Sequence, residues 1–306
     1  MRDRKTAQLL ILLRCTPLLL AAACSRTQTN KVLVIGLDGI RPDVLAEVST
    51  PNIDALIAEG FFVADVQSKA QTISGPGWSS MLTGVWPEKH LVTNNDFTGN
   101  AYASYPDLLT RLELERPELQ TFAVLDWPPL GTTASGGPLI GDGIDSKLNF
   151  DGDEVGYARA DSQSVAAAVR YLRDQNPDAA FVYIGNPDVA AHDHGGRSPE
   201  YYASIEMADA HVGELIRAIR GRASYQAENW LILVSTDHGH KDEGGHGGTS
   251  PEEVTVFYLA SGPVAKRGSE GADPNLVDVA VTAMAHLGVE PDPAWNLDGK
   301  VAGLER

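Results

Sequence analysis

The sequence predicts an α/β fold, a three-layer sandwich built on a largely parallel central sheet. Short unbroken apolar runs recur at 31–37, 181–184 and 230–235, the signature of strands buried on both faces. Segments of helical periodicity separate them, and strands alternating with helices imply a parallel sheet covered by helices. Each run also leads into an aspartate, Asp38, Asp188 or Asp237. In open α/β sheets, ligands bind outside the carboxyl ends of the strands.

The elements follow in chain order. The first strand, 31–37, ends at Asp38-Gly39. Thr50-Pro51 opens a helix over 52–59 and Gly60 closes it: Thr caps, Pro takes the first turn and Gly stops the helix. Residues 77–82 read as a short helix, 105–114 and 160–173 as amphipathic helices, and 181–184 as the second strand. Ser198-Pro199 opens a long helix reaching Arg220; 230–235 is the third strand, 254–259 a fourth, and 275–287 a helix ended by Gly288. Residues 126–157 are rich in Gly, Pro and Asp without periodicity, and read as a loop-rich insertion over one end of the sheet. No repeat or low-complexity tract interrupts 31–306, which reads as a single domain.

Composition narrows the function. The chain has 306 residues, 43% hydrophobic and 21% charged, ordinary for a globular protein. No internal apolar run approaches the ~20 residues of a membrane span. Lys+Arg number 24 against Asp+Glu 41, a net charge of -17. That balance repels phosphate backbones, so no nucleic acid polymer is expected as a partner.

The only cysteines, Cys15 and Cys24, lie near the N-terminus, so neither a disulfide framework nor a Cys-based zinc site is available to the body. Arg2, Arg4 and Lys5, then an apolar stretch interrupted by Arg14, then Ala21-Ala22-Ala23, form the pattern of an export signal over 1–23. Cys24 directly after the three alanines resembles a bacterial lipobox, which implies a lipidated Cys24, a membrane anchor and a place in the periplasm or cell envelope; a plain cleaved signal is the alternative. Residues 24–30 read as a polar tether. Residues 1–23 carry a net +3, so the remainder of the -17 chain carries -20.

Six of the eight histidines lie between 192 and 246: His192, His194, His211, His238, His240 and His246. With Asp38, Asp188 and Asp237 at the strand ends they make an oxygen and nitrogen donor set suited to zinc. Each piece alone has a plainer reading: Asp38 as a turn residue, Asp188 and His192 as a solvated i, i+4 pair, Asp237-His238-Gly239 as a turn. Ser74 is the nucleophile candidate. Gly75 and Gly77 allow close backbone approach to a ligand, and a serine just before a helix N-terminus faces free amides that favour an anion; N-capping is the alternative.

In order along the chain, Leu37-Asp38-Gly39, Pro51 to Leu56, the Ser74 segment through Thr83-Gly84, Trp86 to His90, Asp188 with His192, Ser235 to Gly239, His246-Gly247-Gly248 and Leu297-Asp298-Gly299 resemble the alkaline phosphatase superfamily, closest to its type I phosphodiesterase/nucleotide pyrophosphatase branch. The resemblance implies an alkaline-phosphatase-like catalytic domain that hydrolyses a small phosphate ester through a phosphoserine. It implies two divalent metal ions, zinc above all, one held by Asp188, His192 and His246, the other by Asp38, Asp237 and His238, with Ser74 between them. Two such ions stabilise both the attacking and the leaving oxygen of an in-line displacement.

This chain departs from the branch at three residues and in one spacing. Ser74 stands where Thr is usual, Gly75 replaces an aromatic platform, and Gly77 replaces a phosphate-binding Asn, a contact that Asn94 or Asn95 would supply instead. His246 follows His238 by only eight residues, where the branch often carries a longer insertion. A sulfatase is the alternative within the superfamily, but its x-Pro-x-Arg signature after the modified residue fails at Trp78. A binding lipoprotein that has kept the fold is the non-enzymatic alternative.

Overall fold

The computed structural model describes residues 28–305; the expected export segment, Cys15, Cys24 and most of the tether lie outside them. Seven strands form one sheet: β1 (Thr29–Leu37), β2 (Phe61–Gln67), β3 (Thr121–Leu125), β4 (Ser146–Asn149), β5 (Ala179–Ile184), β6 (Glu228–Ser235) and β7 (Thr255–Ser261), in the order β2-β7-β6-β1-β5-β3-β4. β1 pairs in parallel with β5 and β6, and β3 with β4 and β5. Only the β7 pairings, with β6 and β2, are antiparallel.

Among the described residues seven helices have eight or more residues: α1 (Pro51–Glu59), α2 (Ser74–Thr83), α3 (Leu108–Glu115), α4 (Tyr157–Asp174), α5 (Asn186–His194), α6 (Pro199–Arg220) and α7 (Asp278–His286). They cover the sheet in two layers. Val32 and Val34 of β1 pack with residues of α2, α3 and α7, while Leu33, Ile35 and Leu37 pack with residues of α1, α4 and α6. The period-2 alternation thus feeds two cores at once, which is why this strand is apolar at every position from Val32 to Leu37 except Gly36. Helix α6 buries Tyr201, Ile205, Ala208, Val212, Leu215 and Ile219 on one stripe, each large side chain worth roughly 1.5–3 kcal/mol. Among the described residues no helix is long and apolar enough to cross a membrane.

Several boundaries differ from expectation. β1 starts at Thr29, inside the expected tether, because Thr29 and Asn30 pair with Glu228 and Asn229 of β6. Helix α3 starts at Leu108, where Asp107 accepts from the Leu109 and Thr110 amides. Thr50 does not cap α1; its hydroxyl turns to Asp54 Oδ1 at 3.2 Å, and the Asn52 and Ile53 amides go to Asp209 of α6 at 3.0 and 2.7 Å. The loop-rich region 126–157 contains the edge strand β4 and three single turns of helix, Pro128–Gly131, Ala134–Gly136 and Gly152–Val155. The strands β2 and β3 were also outside the sequence expectation.

Candidate active site

The site lies at the carboxyl edge of β1, β5 and β6. Asp38 directly follows β1, Asp188 sits in the first turn of α5 behind β5, and Asp237 and His238 follow β6. The loop between β6 and β7 brings His240 and His246 over the same edge. Four side chains, Asp188, His238, His240 and His246, place one donor atom each within 4.8 Å of one another, and Asp38, Asp237 and His238 do the same. His238 belongs to both groups.

Each group is held from behind. Asp38 Oδ2 accepts from Trp78 Nε1 at 3.0 Å and from Tyr183 Oη at 2.5 Å. A Cβ on Gly36 would stand 2.5 Å from the Trp78 ring, so glycine in β1 is what lets that indole lie across the strand. Asp237 Oδ1 accepts from the Gly39 amide at 3.3 Å. His240 Nε2 lies 2.8 Å from Asp188 Oδ1, and His246 Nδ1 lies 2.7 Å from the Thr72 carbonyl. The remaining oxygens, Asp38 Oδ1 and Asp237 Oδ2, are buried and have no hydrogen-bond partner. They lie 3.5 and 3.3 Å from His238 Nε2.

His192 Nε2 lies 2.9 Å from His246 Nε2 and 3.6 Å from Asp188 Oδ1, at the exposed mouth of the site. Helix α2 starts three residues earlier than expected, so Ser74 is its first residue and Ile73 holds the N-cap position; Ser74 Oγ is 3.3 Å from His238 Nε2.

Electrostatics in this cluster are dominated by crowding of like charge. Burial, then the neighbouring Asp188, pushes Asp38 up to about 7. Burial and the charges of Asp38 and Asp188 push Asp237 well above the carboxylate range. Burial pushes Asp188 up as well, but hydrogen bonds with His240 and His246 outweigh it and hold Asp188 below its ordinary value. Burial and the nearby His246 keep His238 neutral at physiological pH, the form in which imidazole binds a metal. Burial lowers His240 as well, while the burial of His246 is outweighed by Asp188, which raises it; three carboxylates converging on imidazole nitrogens make a cation site by charge and by donor type.

The substrate-contact candidates divide. Asn95 lines the cleft and its Oδ1 accepts from the Gly75 amide at 2.8 Å. Asn94 does not line it; its Oδ1 accepts from Asp96 N at 2.6 Å on the exposed loop. Gly75 and Gly77 are small for a different reason than ligand approach: a Cβ would stand 2.3 Å from the Asn94 carbonyl at Gly75 and 2.8 Å from Asp237 Cβ at Gly77. Both glycines let α2 pack onto the site. The cleft holds about 330 Å³, and Trp127 and Tyr157 line it together with the catalytic candidates.

The sequence shows His240 among the clustered histidines, and the structure makes it the partner of Asp188; the Trp78 and Tyr183 contacts to Asp38 and the role of Arg41 are not visible in it. Arg41, 1% exposed, holds the His240 carbonyl at 3.1 Å and Asp242 Oδ1 at 2.6 Å. Those contacts need three dimensions. His194 sits exposed at the end of α5, and His211 is buried in α6 beside Glu214.

A model of the family described as type I phosphodiesterase / nucleotide pyrophosphatase matches residues 32–255. This chain belongs to that family. The match contains all seven of the candidate ligands and nucleophile.

Relatives of this phosphodiesterase-family chain include ectonucleotide pyrophosphatase/phosphodiesterase family member 7 of Homo sapiens, 24% identical over 70% of this chain and 49% of the relative. Bis(5'-adenosyl)-triphosphatase ENPP4 of Bos taurus is 26% identical over 70% of this chain and 48% of the relative. The chain thus spans about half the length of the curated relatives it matches. Among solved structures, an inactive form of murine ectonucleotide pyrophosphatase/phosphodiesterase 5 in complex with AMP superposes with a TM-score of 0.67 at 16% identity, covering 90% of this chain and all of that one. A 2-O GAG sulfatase superposes at 0.66 with 13% identity, over 90% of this chain and 73% of that one. The fold of this family member is therefore shared with both enzyme classes.

Proposed function

We propose that this chain is an exported, metal-dependent hydrolase of small phosphate esters that works through an ester on Ser74. The observation that carries the reading is the pair of buried, unpartnered oxygens, Asp38 Oδ1 and Asp237 Oδ2, flanking His238 beside Ser74 Oγ. Buried charge without a partner is costly, and a divalent ion is the group that satisfies it. The donor set fits: Asp38, Asp237 and His238 would hold one ion, and Asp188, His192 and His246 the other, with His240 fixing the Asp188 carboxylate. Aspartate and histidine with no cysteine suit zinc.

When bound, the two ions stabilise charge on the attacking and leaving oxygens and favour the serine alkoxide. The chain's own residues do the rest. Ser74 Oγ gives up its proton and attacks phosphorus, the ester oxygen opposite takes up a proton and leaves as an alcohol, and the phosphoryl group rests on Ser74. Water then attacks the same phosphorus, the bond to Ser74 Oγ breaks, the serine hydroxyl regains a proton and the phosphate is released. Asn95, fixed through its carbonyl by Gly75, has its amide nitrogen to offer a phosphoryl oxygen. Trp127 and Tyr157 supply flat apolar walls for the organic part of the substrate, a role the missing aromatic at position 75 leaves open.

The sulfatase alternative is weakened because position 78, where that signature needs Arg, carries the indole that holds Asp38. Lipidation of Cys24 and tethering in the cell envelope complete the proposal. The test is a panel of phosphomonoesters, diesters and nucleotides with metal-loaded and chelator-treated protein. Hydrolysis lost with chelator and restored by zinc is expected; a zinc-loaded protein inert on every ester would refute it.

A further inference from the structure

A fourth strand carries an acid at its carboxyl end. Asp126 directly follows β3, is 0% exposed, and neither of its carboxyl oxygens has a hydrogen-bond partner. It faces another buried acid, Asp161 of α4, 2% exposed, and the buried Ser164 hydroxyl one turn further along the same helix. Asp161 Oδ1 accepts from the Gly185 amide at 2.8 Å and Oδ2 from the Asn186 amide at 3.1 Å. Those are the first amides of α5, the helix that carries Asp188 and His192. Neither Asp126 nor Asp161 is among the candidate metal donors.

Two ionised carboxylates facing each other in a buried site offer only acceptors, and like charges so placed do not both ionise. One proton removes the conflict and creates the missing donor. It belongs on Asp126, because two backbone amides stabilise the charged form on Asp161, whereas Asp126 has only the neighbouring Ser164 hydroxyl to do so. Burial, then the charge of Asp161, raises Asp126 in the same direction. An ionised Asp161 at the start of α5 also complements the positive end of that helix.

We propose that Asp126 is a neutral carboxylic acid whose O–H donates to Asp161, locking Asp161 onto the first amides of α5 and so positioning Asp188 and His192. Asp126 is a positioning residue: it acts through Asp161 and touches neither substrate nor metal. Its functional meaning rests on the reading of Asp188 and His192 as ligands; its protonation and its hold on α5 do not.

The experiment uses the zinc-treated protein at neutral pH, with two readouts that do not depend on activity. Infrared difference spectra of wild type against Asp126→Asn report a protonated carboxyl directly, and hydrogen exchange of the peptide 185–194 reports the hold on α5. The amide of Asp126→Asn replaces the O–H donor, so this variant is expected to lose one protonated-carboxyl band and keep wild-type exchange. Asp126→Ala, which removes the donor, is expected to speed exchange there about tenfold, the weight of one hydrogen bond. Loss of an ionised-carboxylate band in Asp126→Asn, or exchange in that variant as much accelerated as in Asp161→Ala, would overturn the proposal. Should Asp126→Ala not fold, the Asp126→Asn comparison decides alone.

Discussion

Trp78 donates its indole N–H to Asp38 Oδ2 at 3.0 Å, reaching from helix α2 across β1 to the base of the site. The contact ties the helix that begins with Ser74 to the aspartate that ends the first strand. With Tyr183 on the same oxygen, it turns the other oxygen, Oδ1, toward His238.

Trp78→Phe keeps most of the packing against Phe181 and Tyr183 but deletes the donor. Partners that orient metal ligands typically contribute ~10–100-fold in metal affinity. Competition with a chromophoric chelator should show zinc binding weakened by about that factor in Trp78→Phe, with melting behaviour in chelator little changed.

Arg41 acts on the opposite side of the site, where it holds the His240 carbonyl and Asp242. Arg41→Gln should loosen the loop bearing His240 and His246, at a cost of about 1.5–3 kcal/mol for hydrogen bonds to a charged group. Denaturant titration should show that loss, and hydrogen exchange should rise over 239–248 first.

Asn95 and Asn94 are neighbours with different surroundings, and their variants should separate. Asn95→Ala removes the partner of the Gly75 amide and the donor proposed for phosphate, so kcat/KM should fall about 10–100-fold, the equivalent of ~1.5–3 kcal/mol. Asn94→Ala, on the exposed loop, should leave ester hydrolysis near wild type in the same assay.

His90 gives a pH prediction away from the candidate metal ligands. It is 0% exposed; its Nδ1 accepts from the Val92 amide at 3.1 Å and Nε2 meets Ser80 Oγ at 3.0 Å. Burial lowers it from 6.5 to about 4. Below 6.5 the unfolded chain takes up a proton that the folded one refuses. The contribution is therefore intact above 6.5 and is lost as pH falls toward 4, amounting to about 3 kcal/mol. NMR titration of the His90 ring should find a midpoint near 4; a midpoint near 6.5 would contradict the buried, neutral assignment.

Much of the sheet was legible because β1, β5 and β6 are buried on both faces, which forces a continuous apolar run. Two of the strands that escaped do not meet that condition. β4 is the edge strand Ser146–Asn149 with no fully buried residue, and β2 is an edge strand half open to solvent. β3 is buried throughout, but its five residues run straight into Asp126-Trp127-Pro128 and look like part of the loop. Reading β3 as a strand would have exposed Asp126 as a fourth strand-end acid. The acids and histidines at the site were legible from position along the chain. The indole, phenol and guanidinium behind them were not, because each arrives from an element distant in sequence and leaves no local spacing signal.

Ser74 Oγ beside His238 is the centre of the proposed chemistry. The most direct measurement compares zinc-loaded wild type and Ser74→Ala on bis-p-nitrophenyl phosphate and p-nitrophenyl phosphate, with bound zinc quantified in both. Ser74→Ala is expected to keep its zinc and lose hydrolysis. Full hydrolysis by zinc-loaded Ser74→Ala would contradict the account.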